Sequence, residues 1–319
     1  MSVVEVEEAY RAVRREVGKV VVGQEELIEA VFVALLAEGH VLIEGPPGLG
    51  KTLLATTISR VLKCRYSRIQ FTPDLMPSDV TGHSVYNLQE RRFHFSEGPV
   101  FANLLLADEI NRAPAKTQAS LLEAMQECQV TVDGQTMPLP RPFITLATQN
   151  PIEQEGTYPL PEAQLDRFLF KMLVTYPTFA QEAGILNAYN EGRDPRRIHT
   201  SDVQSVLDDE GILRLQASVR EIVVEPSIID YIVRIVTATR EHPAIEIGAS
   251  PRSSVGLLVA SRALAACLGR TFVVPDDIKQ LVPWILRHRI RLEPEAEIEG
   301  STIEVVLGDL LETTEAPKA

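Results

Sequence analysis

Cysteine is scarce in this 319-residue chain: Cys64, Cys128 and Cys267 are widely spaced and odd in number. They form neither a disulfide framework nor a zinc pattern, and a reducing compartment is the expected home. Apolar runs of membrane-spanning length are missing, and the acidic start from Met1 to Glu8 lacks the basic-then-apolar order of a secretion signal. The expectation is a soluble cytoplasmic protein. Positive charge is short too, with 31 Lys and Arg against 44 Asp and Glu and a net charge of −13. That balance disfavours broad attraction to a nucleic-acid backbone. The local exception, Arg287-His288-Arg289-Ile290-Arg291, reads as a solvated or dipole-compensating face near a helix end. His40, His83, His94, His199, His242 and His288 show no ligand spacing, so solvated or core histidines are expected and no second metal is supported. What the chain does have is 45% apolar residues, enough at this length for about two domains with a substantial core.

The most informative stretch is Gly45-Pro46-Pro47-Gly48-Leu49-Gly50-Lys51-Thr52, between the apolar run Val41-Leu42-Ile43 and a helix opening at Leu53-Leu54-Ala55. A nucleoside triphosphate needs backbone N–H groups curled around its β-phosphate, a lysine on the β/γ oxygens and a hydroxyl on Mg²⁺ at a helix start. Gly45, Gly48 and Gly50 permit the curl, while Lys51 and Thr52 supply the charge and the metal ligand.

Along the chain, residues 5–19 read as a charged helix, followed by a second helix with apolar spacing at Leu27, Ala30, Val31 and Ala34. Strands at 40–44, 103–107 and 143–148 alternate with helices, the rhythm of a parallel sheet covered by helices in an α/β domain. Residues 84–97 suggest a small hairpin or insert, and Asp133-Gly134 within 129–139 marks a two-residue hairpin turn. After Pro177 helical periodicity takes over at 227–241, 251–268 and 275–287, with Gly192, Asp194 and Pro195 punctuating the changeover. The expected division is therefore an α/β domain over 1–177 and a helical domain over 178–319, ending in a frayed tail from Glu312.

Hydrolysis of a phosphoanhydride also needs a second metal ligand, a positioned water and a cation for the charge developing on the γ-phosphate. Leu104-Leu105-Leu106-Ala107-Asp108-Glu109 is an apolar strand ending in two carboxylates, Asp108 suited to Mg²⁺ and Glu109 to polarising water. Asn150 ends another strand, with an amide able to reach phosphate and water; it is equally a turn former before Pro151. Arg167, in Leu165-Asp166-Arg167-Phe168, follows a short helix; spacing alone leaves open an ion pair with Asp166 or Glu162.

Together these segments resemble the AAA+ ATPases, and over about residues 5–290 the wording resembles the MoxR branch. The matching phrases are Val22-Gly23-Gln24, Ile43-Glu44-Gly45-Pro46-Pro47-Gly48, Asp108-Glu109-Ile110-Asn111-Arg112-Ala113, Ala147-Thr148-Gln149-Asn150-Pro151, Glu155-Gly156-Thr157-Tyr158-Pro159-Leu160-Pro161-Glu162-Ala163 and Ser250-Pro251-Arg252. The resemblance implies an AAA+ core with an all-helical lid, binding ATP and Mg²⁺ between subunits of a homo-oligomeric, hexameric ring. It makes Gly23 and Gln24 neighbours of the adenine and Gly45 through Leu53 the nucleotide cradle. Asn150 becomes sensor 1, Arg167 an arginine finger offered to a neighbour, and Arg252 sensor 2, acting in its own subunit or the next. Arg112 is a further interface candidate, with a plain surface arginine as the alternative. Residues 84–97 become the helix-2 insert and 129–139 the pre-sensor-1 hairpin. The implied role is a chaperone-like ATPase that matures protein complexes or assists metal cofactor insertion beside a von Willebrand factor A domain partner. The alternatives are a magnesium-chelatase-like motor subunit and, less favoured by the charge on the inserts, a nucleic-acid motor.

Overall fold

The computed structural model describes residues 3–150, 157–191 and 203–317. Pro151, Glu155, Gly156, Gly192, Asp194, Pro195 and His199 lie outside the described residues. Helices α1 (Val3–Gly18) and α2 (Glu25–Leu36) lead into β1 (Val41–Glu44), α3 (Lys51–Val61), β2 (Tyr66–Gln70) and α4 (Pro77–Thr81). A hairpin of β3 (Gly82–Asn87) and β4 (Arg92–Glu97) precedes β5 (Leu104–Asp108) and α5 (Ala115–Glu127). A second hairpin, β6 (Gln129–Val132) and β7 (Gln135–Pro138), is followed by β8 (Ile144–Gln149), α6 (Glu162–Leu165) and β9 (Phe170–Leu173).

Strands β2-β5-β8-β1-β9 form one five-stranded sheet, every neighbouring pair parallel. Their sequences are near-continuous apolar runs because helices cover both faces: Val41, Leu42, Ile43 and Leu104 to Ala107 are all buried. In such a sheet the carboxyl ends of all strands share one edge, where ligands bind in open α/β folds.

The remaining chain comprises α7 (Phe179–Asn190), α8 (Asp209–Val219), α9 (Pro226–Glu241), β10 (Ile245–Ile247), α10 (Pro251–Cys267), α11 (Pro275–Leu286), β11 (Arg291–Leu292), α12 (Pro294–Ile298) and α13 (Ile303–Thr313). The lid is helical, with one small addition that periodicity did not reveal: β10 and β11 pair antiparallel. Of the tail expected to fray from Glu312, Glu312 and Thr313 belong to a helix, while residues 314–317 lie outside any helix or strand. Helix α13 is capped by the Thr302 hydroxyl, runs through Thr313, and buries Val306, Leu307 and Leu310 as a stripe. A single buried apolar cluster includes residues of α1, α2, β1, α10, α11 and α13, so the C-terminal helices pack against the α/β core. No helix among the described residues is long and apolar enough to cross a membrane.

Candidate nucleotide site

The loop between β1 and α3 is shaped by glycines for separate reasons. A Cβ on Gly45 would lie 2.3 Å from the Val174 carbonyl oxygen, so only glycine allows β1 to pass the end of β9 there. Gly48 and Gly50 have φ of +84° and +74°, the left-handed region that turns the chain back on itself. Helix α3 then starts at Lys51 with no side-chain cap, leaving its first-turn N–H groups for an anion. The Lys51 ammonium donates to the Gly45 carbonyl at 2.6 Å. Burial pulls its pKa below the usual lysine range, opposed by the charges of Asp108, Glu109 and Glu44.

A cleft of about 210 Å³ opens above this loop, and Lys51, Thr52, Asp108, Glu109, Thr148 and Asn150 line it. Asp108 is the last residue of β5; Glu109, next, has φ 55° and ψ 51°, a left-handed conformation uncommon for glutamate. Thr148, on the neighbouring strand β8, secures both. Its hydroxyl donates to Asp108 Oδ1 at 2.6 Å and accepts the Glu109 N–H at 2.8 Å. From the other side, Arg68 donates to Asp108 Oδ2 at 2.7 Å and Gln70 to Glu109 Oε2 at 2.7 Å. Arg112 reaches the same Glu109 oxygen at 3.0 Å, so it is tied to a carboxylate of its own chain.

Thr148, Arg68 and Gln70 escaped sequence reasoning. No local pattern marked them: Gln70 meets Asp108 only through the β2–β5 register, and Thr148 meets it only through the β5–β8 pairing.

A larger space of about 860 Å³ adjoins the cleft, between the loop before α2, the phosphate loop and α7. Gly23, Gln24, Leu49, Gly50, Thr52 and Leu53 line it. Gly23 has φ +78°, and a Cβ there would lie 2.6 Å from the Gln181 side chain. Gln24 donates its amide to the Leu49 carbonyl at 2.5 Å, tying this wall to the phosphate loop. Of the loop residues, Gly45, Pro47, Gly48 and Lys51 face the smaller cleft, while Pro46 lines neither space.

The donor set fits a magnesium–triphosphate complex. Free helix-start N–H groups and Lys51 suit phosphate, and Thr52 with Asp108 makes the partial oxygen shell that suits a cation shared with phosphate. Among the described residues no group of three or more His, Cys, Asp or Glu side chains could hold a metal independently of a ligand.

Arg167 and Arg252 are not brought to this cleft. Arg167 lies between α6 and β9, three residues before Phe170, which pairs with Val41 at the start of β1. The phosphate loop leaves the other end of β1, about 13 Å of strand away at roughly 3.3 Å per residue. Asp166 is bonded to Arg289 and Glu162 to Arg291, so the ion pairs that spacing suggested for Arg167 are not made. Arg252 is exposed at the start of α10. It is near enough to His40 and Arg289 for its charge to add to the burial that lowers both pKa values.

The basic stretch at 287–291 is only partly a solvated face: Arg291 is exposed, while the side chains of Arg287 and Arg289 are covered. Arg289 is 4% exposed and His288 is buried, with its Nε2 donating to the Phe168 carbonyl at 3.1 Å. Its partners lie on the segment around Arg167, more than a hundred residues earlier, which no local pattern reveals.

The hairpins carry different chemistry. Asp133 and Gly134 both have positive φ, the type I′ turn that matches strand twist. At β3–β4, Leu88 and Phe93 are exposed and Tyr86 meets Phe93 edge-on at 5.1 Å. Arg92 and His94 both contact Glu90, which reduces the basic character of this hairpin. The two hairpins touch through β3 and β6.

Comparison with known proteins accords with this geometry. The family described as "ATPase family associated with various cellular activities (AAA)" matches residues 40–170, and the AAA lid domain matches 237–308. The uncharacterized protein YeaC of Bacillus subtilis is 46% identical over 301 residues, covering 94% of this chain and 92% of that protein. Chaperone MoxR1 of Mycobacterium tuberculosis is 45% identical over 312 residues, covering 95% and 81%. A crystal structure of a candidate ATPase from Cytophaga hutchinsonii superposes with a TM-score of 0.91 at 40% identity, covering 99% and 97%.

Proposed function

The chain belongs to the MoxR family of AAA+ ATPases, and on that premise we propose that it hydrolyses ATP in the 210 Å³ cleft, at an interface between copies of itself. Lys51 and the first-turn N–H groups of α3 hold the phosphates, with the base and ribose in the adjoining space by Gly23, Gln24 and Leu53. Thr52 and Asp108 hold Mg²⁺, which when bound draws negative charge from the phosphoryl oxygens. Glu109 takes the proton of the attacking water, and Asn150 orients that water. The observation that carries this reading is the convergence of Lys51, Thr52, Asp108, Glu109 and Asn150 on one cleft at the carboxyl edge of the sheet.

Neither Arg167 nor Arg252 lines the cleft, and Arg167 precedes the strand end that pairs with the start of β1, away from the phosphate loop; this supports action of both on a neighbour's nucleotide. A closed hexameric ring accommodates that head-to-tail relation. The units 1–177 and 178–319 serve as nucleotide-binding domain and lid. The work done on ATP is remodelling or maturation of a protein complex, including assistance in metal cofactor insertion, together with a von Willebrand factor A domain partner. Support for a protein client comes from the chaperone designation of MoxR1 and from the apolar residues exposed on the β3–β4 hairpin.

The test is a pair of variants. Lys51→Ala abolishes nucleotide binding, whereas Glu109→Gln retains it and loses about 10²–10⁴ in turnover, because only the second spares the cradle. Equal loss of ATP affinity in the two, measured by calorimetry, would refute the division of roles.

A further inference from the structure

The segment that carries Arg167 is gripped from both sides by one lid residue. Arg289 donates through Nε to Asp166 Oδ1 at 2.7 Å and through Nη2 to the Asp166 and Phe168 carbonyls at 3.3 and 2.7 Å. Its Nη1 donates to the Ile285 carbonyl at 3.1 Å, anchoring the guanidinium to the last turn of α11, which ends three residues before it. The residues immediately before and after Arg167 are therefore fixed to the lid. His288 adds a bond to the Phe168 carbonyl at 3.1 Å, and Arg291 one to Glu162 at 2.6 Å.

We infer that Arg289 is a positioning residue, through which the lid sets the direction in which Arg167 is presented to the neighbouring subunit. The inference rests on the reading of Arg167 as a group that acts across an interface. Stability alone is a poor reason for this arrangement, because a buried ion pair is often no better than apolar residues of the same volume. Geometry is a better one. A planar guanidinium with several fixed donors holds acceptors on both flanks of Arg167 at once, and a lysine, with a point charge on a flexible stem, does not. Displacement of a reacting group by about 1 Å can lower a rate about 10²-fold, so the direction of Arg167 is worth holding. The charge of Arg252 is felt at Arg289, and both belong to the lid, so movement of the lid would shift Arg252 and the segment carrying Arg167 together.

The experiment uses full-length Arg289→Lys and Asp166→Asn, assembled into oligomers and mixed with Glu109→Gln, whose cradle is inactive but whose Arg167 is intact. Either variant alone is expected to bind ATP with unchanged Kd and to turn over about 10²-fold more slowly. Mixing with Glu109→Gln restores turnover, since intact cradles then meet correctly held arginines; mixing with Arg167→Ala does not, which puts Arg289 and Arg167 in one complementation group. Asp166→Asn keeps the two carbonyl acceptors and so carries the test if Arg289→Lys does not fold by thermal melting. Unchanged turnover in the folded variants overturns the inference. So does a loss that Glu109→Gln fails to rescue while it does rescue Arg167→Ala. If Arg167→Ala is not rescued either, the trans reading of Arg167 is itself wrong, and the parallel control makes that failure distinct.

Discussion

Thr148 donates its hydroxyl to Asp108 Oδ1 at 2.6 Å, across the β5–β8 pairing and directly beneath the phosphate cleft. The Thr148 hydroxyl oxygen in turn accepts the Glu109 N–H, so one side chain holds the carboxylate proposed to bind Mg²⁺ and the strained backbone of the one proposed to activate water. Thr148→Val keeps the shape and removes both bonds. A hydrogen bond to a charged group contributes about 1.5–3 kcal/mol, and the part of it felt in the transition state appears in kcat, up to about 10–100-fold. Steady-state turnover should fall for Thr148→Val and stay near wild type for Thr148→Ser. Equal rates for valine and threonine would show that the hydroxyl plays no part.

Acid should weaken the protein through two buried histidines. His40 accepts the Thr145 N–H at Nδ1 and donates from Nε2 to the Met125 carbonyl, at 3.0 and 3.1 Å, which only the neutral ring can do. Burial lowers its pKa to about 4, and burial lowers that of His288 in the same direction. Since the unfolded value is about 6.5, the unfolded chain binds the proton first as pH falls. The stability held by His40 is complete above about pH 6.5 and is lost towards about pH 4, at up to about 1.4 kcal/mol per pH unit. Urea unfolding should show this slope in the wild type, and His40→Asn should be less stable at neutral pH with a shallower slope. An unchanged slope in the variant would remove His40 from the account.

The sequence made the cleft legible where chemistry is local. The phosphate loop, Asp108-Glu109 and Asn150 each announce themselves within a few residues of a strand end, and the alternation of strands and helices is enough to expect a parallel sheet. Arg68, Gln70 and Thr148 were invisible because their roles depend on which strands lie side by side, and β2, β5 and β8 are far apart in the chain. The stretch 287–291 misled for the same reason: its composition suggests solvent, and its partner Asp166 lies 123 residues from Arg289. At the C-terminus, Glu312 and the threonines around it masked the apolar stripe of α13 one turn earlier.

The hairpins should couple turnover to a protein rather than to nucleic acid. Deleting 131–136 with a short turn in its place is expected to leave basal ATPase largely intact and to abolish stimulation by a client. Rates measured with DNA, RNA and a von Willebrand factor A domain protein separate the readings. The net charge of −13 opposes capture of DNA. Strong stimulation by nucleic acid with steep salt dependence, and none by protein, would favour a motor.

Mixed assemblies test the central claim, hydrolysis at a site completed by a neighbour. Arg167→Ala and Lys51→Ala should each be inactive alone, the first lacking the arginine and the second the cradle. Combined, they form some sites in which an intact cradle meets an intact arginine, and a neighbouring arginine can be worth about 10³–10⁵ in rate. Turnover well above either parent, rising with protein concentration, is the predicted result. A mixture as inactive as its parents, with assembly verified by sedimentation, would contradict it.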